Sequence, residues 1–207
     1  LFLDEMPEFS RRSLEILRQP LEDKVIRISR VYGTYDFPAD FMLCAAMNPC
    51  PCGHYPDMNR CRWTPAQVMQ YLGRISQPLL DRLDLCAEVS PVDFEGLSSG
   101  RKGESTQTIR ERVICAQDIQ RERYKIEGIQ FNGELSGAQI EKYCKMEKDA
   151  RQLLKMAFQN MPFSARAYHR ILKVARTIAD MEATESIHRH HIAEALSYRA
   201  FDKKYWN

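Results

Sequence analysis

Two adjacent carboxylates, Asp4 and Glu5, close the apolar run LFL at the start of the sequence. At the end of a strand such a pair can hold the water shell of Mg²⁺ and can orient or deprotonate a water that attacks a phosphate. That end of a strand is where α/β sheets bind their ligands. The plainer alternative is an exposed Asp-Glu on the approach to a helix, where the dipole favours acids. Asn48 ends a second apolar run, DFMLCAAMN, and its amide could orient the same water; an Asn before Pro49 also suits a turn. Arg82, in PLLDRLDL, could stabilise charge on a transferring phosphoryl group, worth roughly 10³–10⁵ in rate when a neighbouring subunit supplies it. Its alternative is an exposed pair with Asp81 or Asp84, worth little. Arg166, in SARAY, opens a helical segment and could reach over a nucleotide, or belong to a solvated face with Arg170, Lys173 and Arg176.

The elements that must carry these residues follow from periodicity. Residues 1–3 read as the end of a buried strand. SRRSLEILRQPLED reads as one helix capped by Ser10, with Leu14, Leu17 and Leu21 at helical spacing. KVIRISRVYGTYDFP alternates and contains Gly33, which predicts a β-hairpin with a strand over 25–31 and a short return. DFMLCAAMN reads as a strand buried on both faces. PCPCGHYPDMNRCRW is a loop, TPAQVMQYLGRI a helix with Pro65 in its first turn, and DLCAEVSPV another strand. This alternation argues for an α/β layer over 1–96. GLSSGRKGEST has the composition of a linker, placed at 97–105. From 106 to 207 the pattern is helical. Ile109, Val113 and Ala116 space one helix; Ser136 and Gln139 form a capping box; Ile171, Val174, Ala175 and Ile178 share a stripe.

Apolar residues make up 44% of the 207 and charged residues 28%, the balance of a folded globular chain. A net charge of +2 excludes a strongly basic nucleic-acid binder, so any basic surface must be local. No apolar run approaches the ~20 residues that span a bilayer, which points to no membrane partner. Seven cysteines with no disulfide-framework spacing predict reduced thiols and a cytoplasmic location.

Acidic strand end, Asn strand end, Arg after a helix, then Arg opening a late helix: in that order the motifs resemble magnesium-chelatase-like AAA+ ATPases of the ComM/YifB type. The resemblance runs through LFLDEMPEF, AAMNPCPCG, TPAQVMQYLGRISQPLLDRLDL and SARAYHRILKVARTIADME with HIAEALSYR, nearly the whole chain. It implies that Asp4 and Glu5 form Walker B, with Asp4 holding Mg²⁺ through water. It implies sensor 1 at Asn48, the arginine finger at Arg82 with Arg74 as a second candidate, and sensor 2 at Arg166. The implied fold is a partial AAA+ (P-loop NTPase) α/β core lacking its Walker A part, followed by an all-α helical lid. The implied cofactors are ATP and Mg²⁺, and the implied assembly is a homo-oligomeric, hexameric ring.

No G-x-x-x-x-G-K-[ST] occurs in the sequence, so the phosphate cradle is missing. The chain is therefore expected to be a fragment from Walker B onward, inactive on ATP by itself. Relatives of this type carry two C-x-C pairs in the loop, a zinc pattern. Here Cys50, Cys52 and Cys61 are present and Trp63 takes the fourth place, with His54 or Asp57 as candidate replacements. The late His188, His190 and His191 read as a helix start rather than a ligand cluster. Gln77 stands where such relatives show Gly. The client implied by a ComM-type reading is DNA, remodelled by a helicase-like motor. Arg27 and Arg30, in the hairpin with Tyr32 and Tyr35, are the candidate contacts. The alternatives are a chelatase-type ATPase subunit that remodels a protein partner and a non-catalytic scaffold.

Overall fold

The computed structural model describes residues 1–90, 92, 94, 98, 103–160 and 163–199. Two compact units emerge, Leu1–Leu83 and Asp84–Arg199. The linker expected at 97–105 lies mostly outside the described residues.

In the first unit, β1 (Phe2–Leu3) lies parallel to β4 (Cys44–Ala45), with Phe2 opposite Cys44 and Leu3 opposite Ala45. A short 3₁₀ turn, Met6–Glu8, follows β1 and drives Met6 into a core of Leu14, Ile75, Leu79 and Leu80. Each of these fully buried side chains contributes about 1.5–3 kcal/mol. The helix expected over 10–23 is two helices, α1 (Arg11–Ile16) and α2 (Arg18–Asp23). Pro20 supplies the reason: it has no N–H to continue α1, yet it is tolerated in the first turn of a new helix. Ser10 does cap α1, accepting from the Ser13 N–H at 3.1 Å.

The hairpin is present as β2 (Val25–Arg30) and β3 (Gly33–Pro38), antiparallel, with Val31 and Tyr32 as its two-residue tip. The long buried strand expected at DFMLCAAMN is not: β4 is two residues long, and Met42 is 82% exposed. β4 pairs only with β1 among the described residues, which leaves the ladder too short to extend the strand, although Ala45 and Met47 of the run still pack against the neighbouring cores. DLCAEVSPV forms no strand over its described residues; the run alternates, but no neighbouring strand receives its hydrogen bonds. α3 (Pro65–Leu72) begins at Pro65 behind a Thr64–Gln67 capping box, and α4 (Gln77–Leu80) follows, capped by Ser76.

The second unit is helical: α5 (Thr106–Arg123), a 3₁₀ turn (Asn132–Glu134), α6 (Gly137–Tyr143), α7 (Lys148–Asn160), α8 (Ala165–Met181) and α9 (Arg189–Ser197). Gln139 reaches back to the Ser136 N–H at 2.9 Å, completing the expected box. Ile171 and Ala175 are fully buried on α8, with Val174 and Ile178 packed beside them. On α5 only Ala116 of the expected stripe is buried; Ile109 and Val113 stay exposed. Among the described residues no helix is long and apolar enough to cross a membrane.

At the centre of this unit sits a polar cluster. Asp180, 1% exposed, accepts from both Nη atoms of Arg123, from Arg176 Nε at 3.1 Å and from Asn132 Nδ2 at 2.8 Å. Arg176, fully buried, spends its remaining donors on the carbonyls of Thr184 and Glu185. Burial pushes the Arg176 guanidinium down from its ordinary value, against the pull of Asp180.

Candidate functional site

The register of β1 and β4 decides where the acids and the amide stand. Because Leu3 pairs with Ala45, both strands point the same way and end together. Met6 N extends the ladder to Ala46 O at 3.0 Å. Asp4 and Glu5 therefore leave β1 at the C-terminal edge of a parallel pair, and Asn48 leaves β4 at the same edge. All three are exposed. Asp4 Oδ1 accepts from the Glu5 N–H at 3.0 Å, and Glu5 adopts a left-handed backbone, φ 49°, as it enters the 3₁₀ turn. The donor set is hard oxygen, which fits Mg²⁺ and its water shell. The phosphate cradle is not among this chain's residues, so the fit covers the metal-and-water half of a nucleotide site.

A residue considered only as a finger has a different local role. Arg74 Nη1 donates to Pro7 O at 2.9 Å and to Glu8 at 3.2 Å, bracing the segment directly after Glu5. Its place between Gly73 and Ile75 gave no hint of this, because the partner is almost seventy residues earlier in sequence.

Arg82 was expected at an open surface. Its side chain is instead 8% exposed and spent within the unit: Nε donates to Arg18 O at 3.2 Å, Nη1 to Pro78 O at 2.6 Å, and Nη2 to Glu22. It forms part of an open cleft with Glu15, Arg18, Glu22 and Asp23. Neither Asp81 nor Asp84, the partners weighed from sequence, holds it in these bonds; Asp84 accepts from Arg170 at 2.7 Å in the second unit. Arg166 is exposed in the first turn of α8, behind the Ser164 cap.

The hairpin separates the two arginines that were read together. Strand side chains alternate between faces, so positions 27 and 30 point oppositely. Arg27 lies opposite Asp36 and grips it with two bonds, Nε–Oδ1 at 2.8 Å and Nη2–Oδ2 at 2.9 Å. That pairing raises the Arg27 pKa and lowers that of Asp36. Arg30 shares the other face with Ile26, Ile28, Tyr35 and Phe37, and makes no ion pair among the described residues. At the tip Val31 and Tyr32 are each 95% exposed.

In the cysteine loop the three thiols converge, with Sγ···Sγ distances of 3.2 Å (50–52), 3.7 Å (50–61) and 3.6 Å (52–61). Gly53, at φ +76°, turns the chain back so that the Tyr55 N–H meets Cys50 Sγ at 3.4 Å. Backbone N–H groups of His54 and then Arg62 hold the Cys52 thiol down to about 7. His54 and Asp57 do not join the sulfurs; Asp57 Oδ1 accepts from Asn59 N at 3.0 Å.

The late histidines cap a helix, as expected. His188 is the N-cap of α9, and its N–H donates to His191 Nδ1 at 3.0 Å. The neutral His191 ring therefore carries its proton on Nε2, which faces Glu182 at 2.9 Å. Glu182, His190 and His191 lie close together, but this ring offers an N–H there rather than a metal-binding lone pair.

Comparison with known proteins accounts for the order of these motifs. The family described as "Magnesium chelatase, subunit ChlI" matches residues 1–97, and "Magnesium chelatase, subunit ChlI C-terminal" matches residues 103–199. The chain belongs to the magnesium chelatase ChlI family. Within that family it is similar to the uncharacterized protein YifB of Salmonella typhimurium, 47% identical over 98% of this chain and 39% of the relative. It is likewise similar to the competence protein ComM of Haemophilus influenzae, 46% identical over 97% of this chain and 38% of the relative. It is 38% identical to the uncharacterized protein Rv2897c of Mycobacterium tuberculosis, over 96% of this chain. The ChlI-family chain thus spans about two fifths of the length of these curated relatives. The family implies an AAA+-like α/β fold with a helical C-terminal part, and the two units have that character.

Proposed function

We propose that this chain is the strand-end and lid portion of a ring-forming AAA+ ATPase that couples ATP hydrolysis to the remodelling of DNA. The observation that carries the reading is the common C-terminal edge of β1 and β4, where Asp4, Glu5 and Asn48 emerge together. Asp4 holds the water shell of Mg²⁺, Glu5 takes the proton of the attacking water, and the Asn48 amide fixes that water's direction. Mg²⁺, when bound, neutralises charge on the phosphate oxygens. Arg82 reaches a neighbouring subunit's nucleotide only after leaving Glu22, so its in-chain pairing makes the finger conditional on assembly. Arg166 approaches a nucleotide from the helical unit. The assembly in this reading is a homo-oligomeric, hexameric ring in the cytoplasm.

DNA is supported by the hairpin. Its tip offers an exposed aromatic, Tyr32, beside Arg30, which has no acidic partner among the described residues, and the two suit a base face and a phosphate. A protein client, as for a chelatase subunit, is the second reading, favoured by the family match of both halves.

The test uses a chimera in which this chain replaces the matching segment of Salmonella YifB. ATP turnover is expected, with DNA stimulation that falls as salt rises. Arg30→Ala removes most of the stimulation and leaves basal turnover intact. Arg27→Ala affects it chiefly by loosening the hairpin, and Asp36→Ala should mimic that loss. Equal stimulation in Arg30→Ala and the parent would shift the reading to a protein client.

A further inference from the structure

The cysteine loop carries chemistry that the ATPase reading does not use. We infer that Cys50, Cys52 and Cys61 bind one zinc ion through three thiolates, with the fourth corner open to water.

The sulfur triangle supports this on size. In a tetrahedral thiolate site with Zn–S of about 2.3 Å, sulfurs lie about 3.8 Å apart. The three edges here, 3.2, 3.6 and 3.7 Å, are already near that value. A point about 2.3 Å from all three sulfurs falls about 1 Å outside their plane. An ion so placed is pyramidal towards the three sulfurs and has one vacant direction, as in a tetrahedron missing a ligand.

Burial and backbone agree. Cys50 is fully buried and Cys61 is 9% exposed, under Met47, Tyr55 and Trp63. The Tyr55 N–H aimed at Cys50 Sγ is the kind of donor that orients and stabilises a metal-bound thiolate. No fourth His, Cys, Asp or Glu among the described residues has its donor atom in the group. Trp63 follows Cys61 at the spacing with which Cys52 follows Cys50, so a bulky carbon ring stands where a second C-x-C would end.

The location gives the ion a task. Cys50 is two residues beyond Asn48, and Cys61 is three before the Thr64 cap of α3. One ion would therefore join the chain leaving the strand end to the start of α3, and fix the exit path of Asn48.

The full chain, purified without chelator, is expected to carry about one zinc by elemental analysis. Cys50→Ser and Cys61→Ser should each reduce it to background with helical circular dichroism unchanged. Should either variant fail to fold, the parent still gives the answer. The reduced, metal-free parent titrated with Co²⁺ should develop thiolate charge-transfer and tetrahedral visible bands at one equivalent. Adding 2-mercaptoethanol to the Co²⁺ form should shift those bands, because the corner is open. Trp63→Cys should slow loss of zinc to a competing chelator. A zinc-free chain that gives no charge-transfer bands with Co²⁺ overturns the site. Bands indifferent to the added thiol overturn the open corner.

Discussion

Glu5→Gln in the YifB chimera is expected to lower ATP turnover about 10²–10⁴-fold while nucleotide affinity holds, the range for removing a positioned general base. The substitution keeps size and hydrogen bonding but removes the proton acceptor. Glu5 is exposed, so stability should change little. The neighbouring Asp4→Asn acts differently. It weakens the hold on Mg²⁺, and added metal should recover part of its activity but none of that lost in Glu5→Gln. The measurements are steady-state turnover against Mg²⁺ concentration and nucleotide binding at equilibrium. Turnover within a few-fold of the parent in Glu5→Gln would remove Glu5 from the chemistry and leave the strand-end acids with a structural role.

Asp180→Ala should cost the helical unit about 3–5 kcal/mol, the usual penalty for stranding a buried charge. Two guanidinium groups depend on this carboxylate: Arg176 is fully buried, and the Arg123 side chain is mostly so. Asp180 also holds Asn132, whose side chain ties Tyr124 at 2.5 Å and Thr177 at 2.9 Å. Losing the acid thus leaves several polar groups unpaired at once, and a like-charge pair facing each other. With urea slopes of about 1–3 kcal/mol/M, the midpoint of the helical unit should fall by at least about 1 M. Replacing Arg176 by Met together with Asp180 by Leu should recover part of the loss, since an apolar substitute removes the desolvation cost. Urea melts by circular dichroism check both; an unchanged midpoint in Asp180→Ala would mean the cluster opens to water without cost.

What the sequence revealed divides by the range of the interaction. Caps at Ser10 and Ser136, Pro65 in the first turn of its helix, and the stripe of α8 depend on residues within a few positions, and all could be read locally. The hairpin could be located, and parity alone would have shown that Arg27 and Arg30 face opposite ways. The apolar runs around Cys44 and Val89 misled, because an apolar run of strand length reports the wish for a partner strand and not its presence. Arg82 was legible as a residue after a helix, yet its docking depends on Glu22, sixty positions away. The thiol cluster announced itself by spacing. The failure of His54 and Asp57 to join it arises from local turn geometry, in which Asp57 is committed to Asn59.

The left-handed backbone at Glu5 has a consequence for anyone who would stabilise this protein. An L-residue with a side chain in that region carries a cost of about 1–2 kcal/mol that glycine avoids. A search for thermal tolerance would therefore favour Gly at this position and would also favour losing the carboxylate. Robustness and turnover make opposite demands on one residue, so a hardened variant of this strand end is in danger of being an inert one.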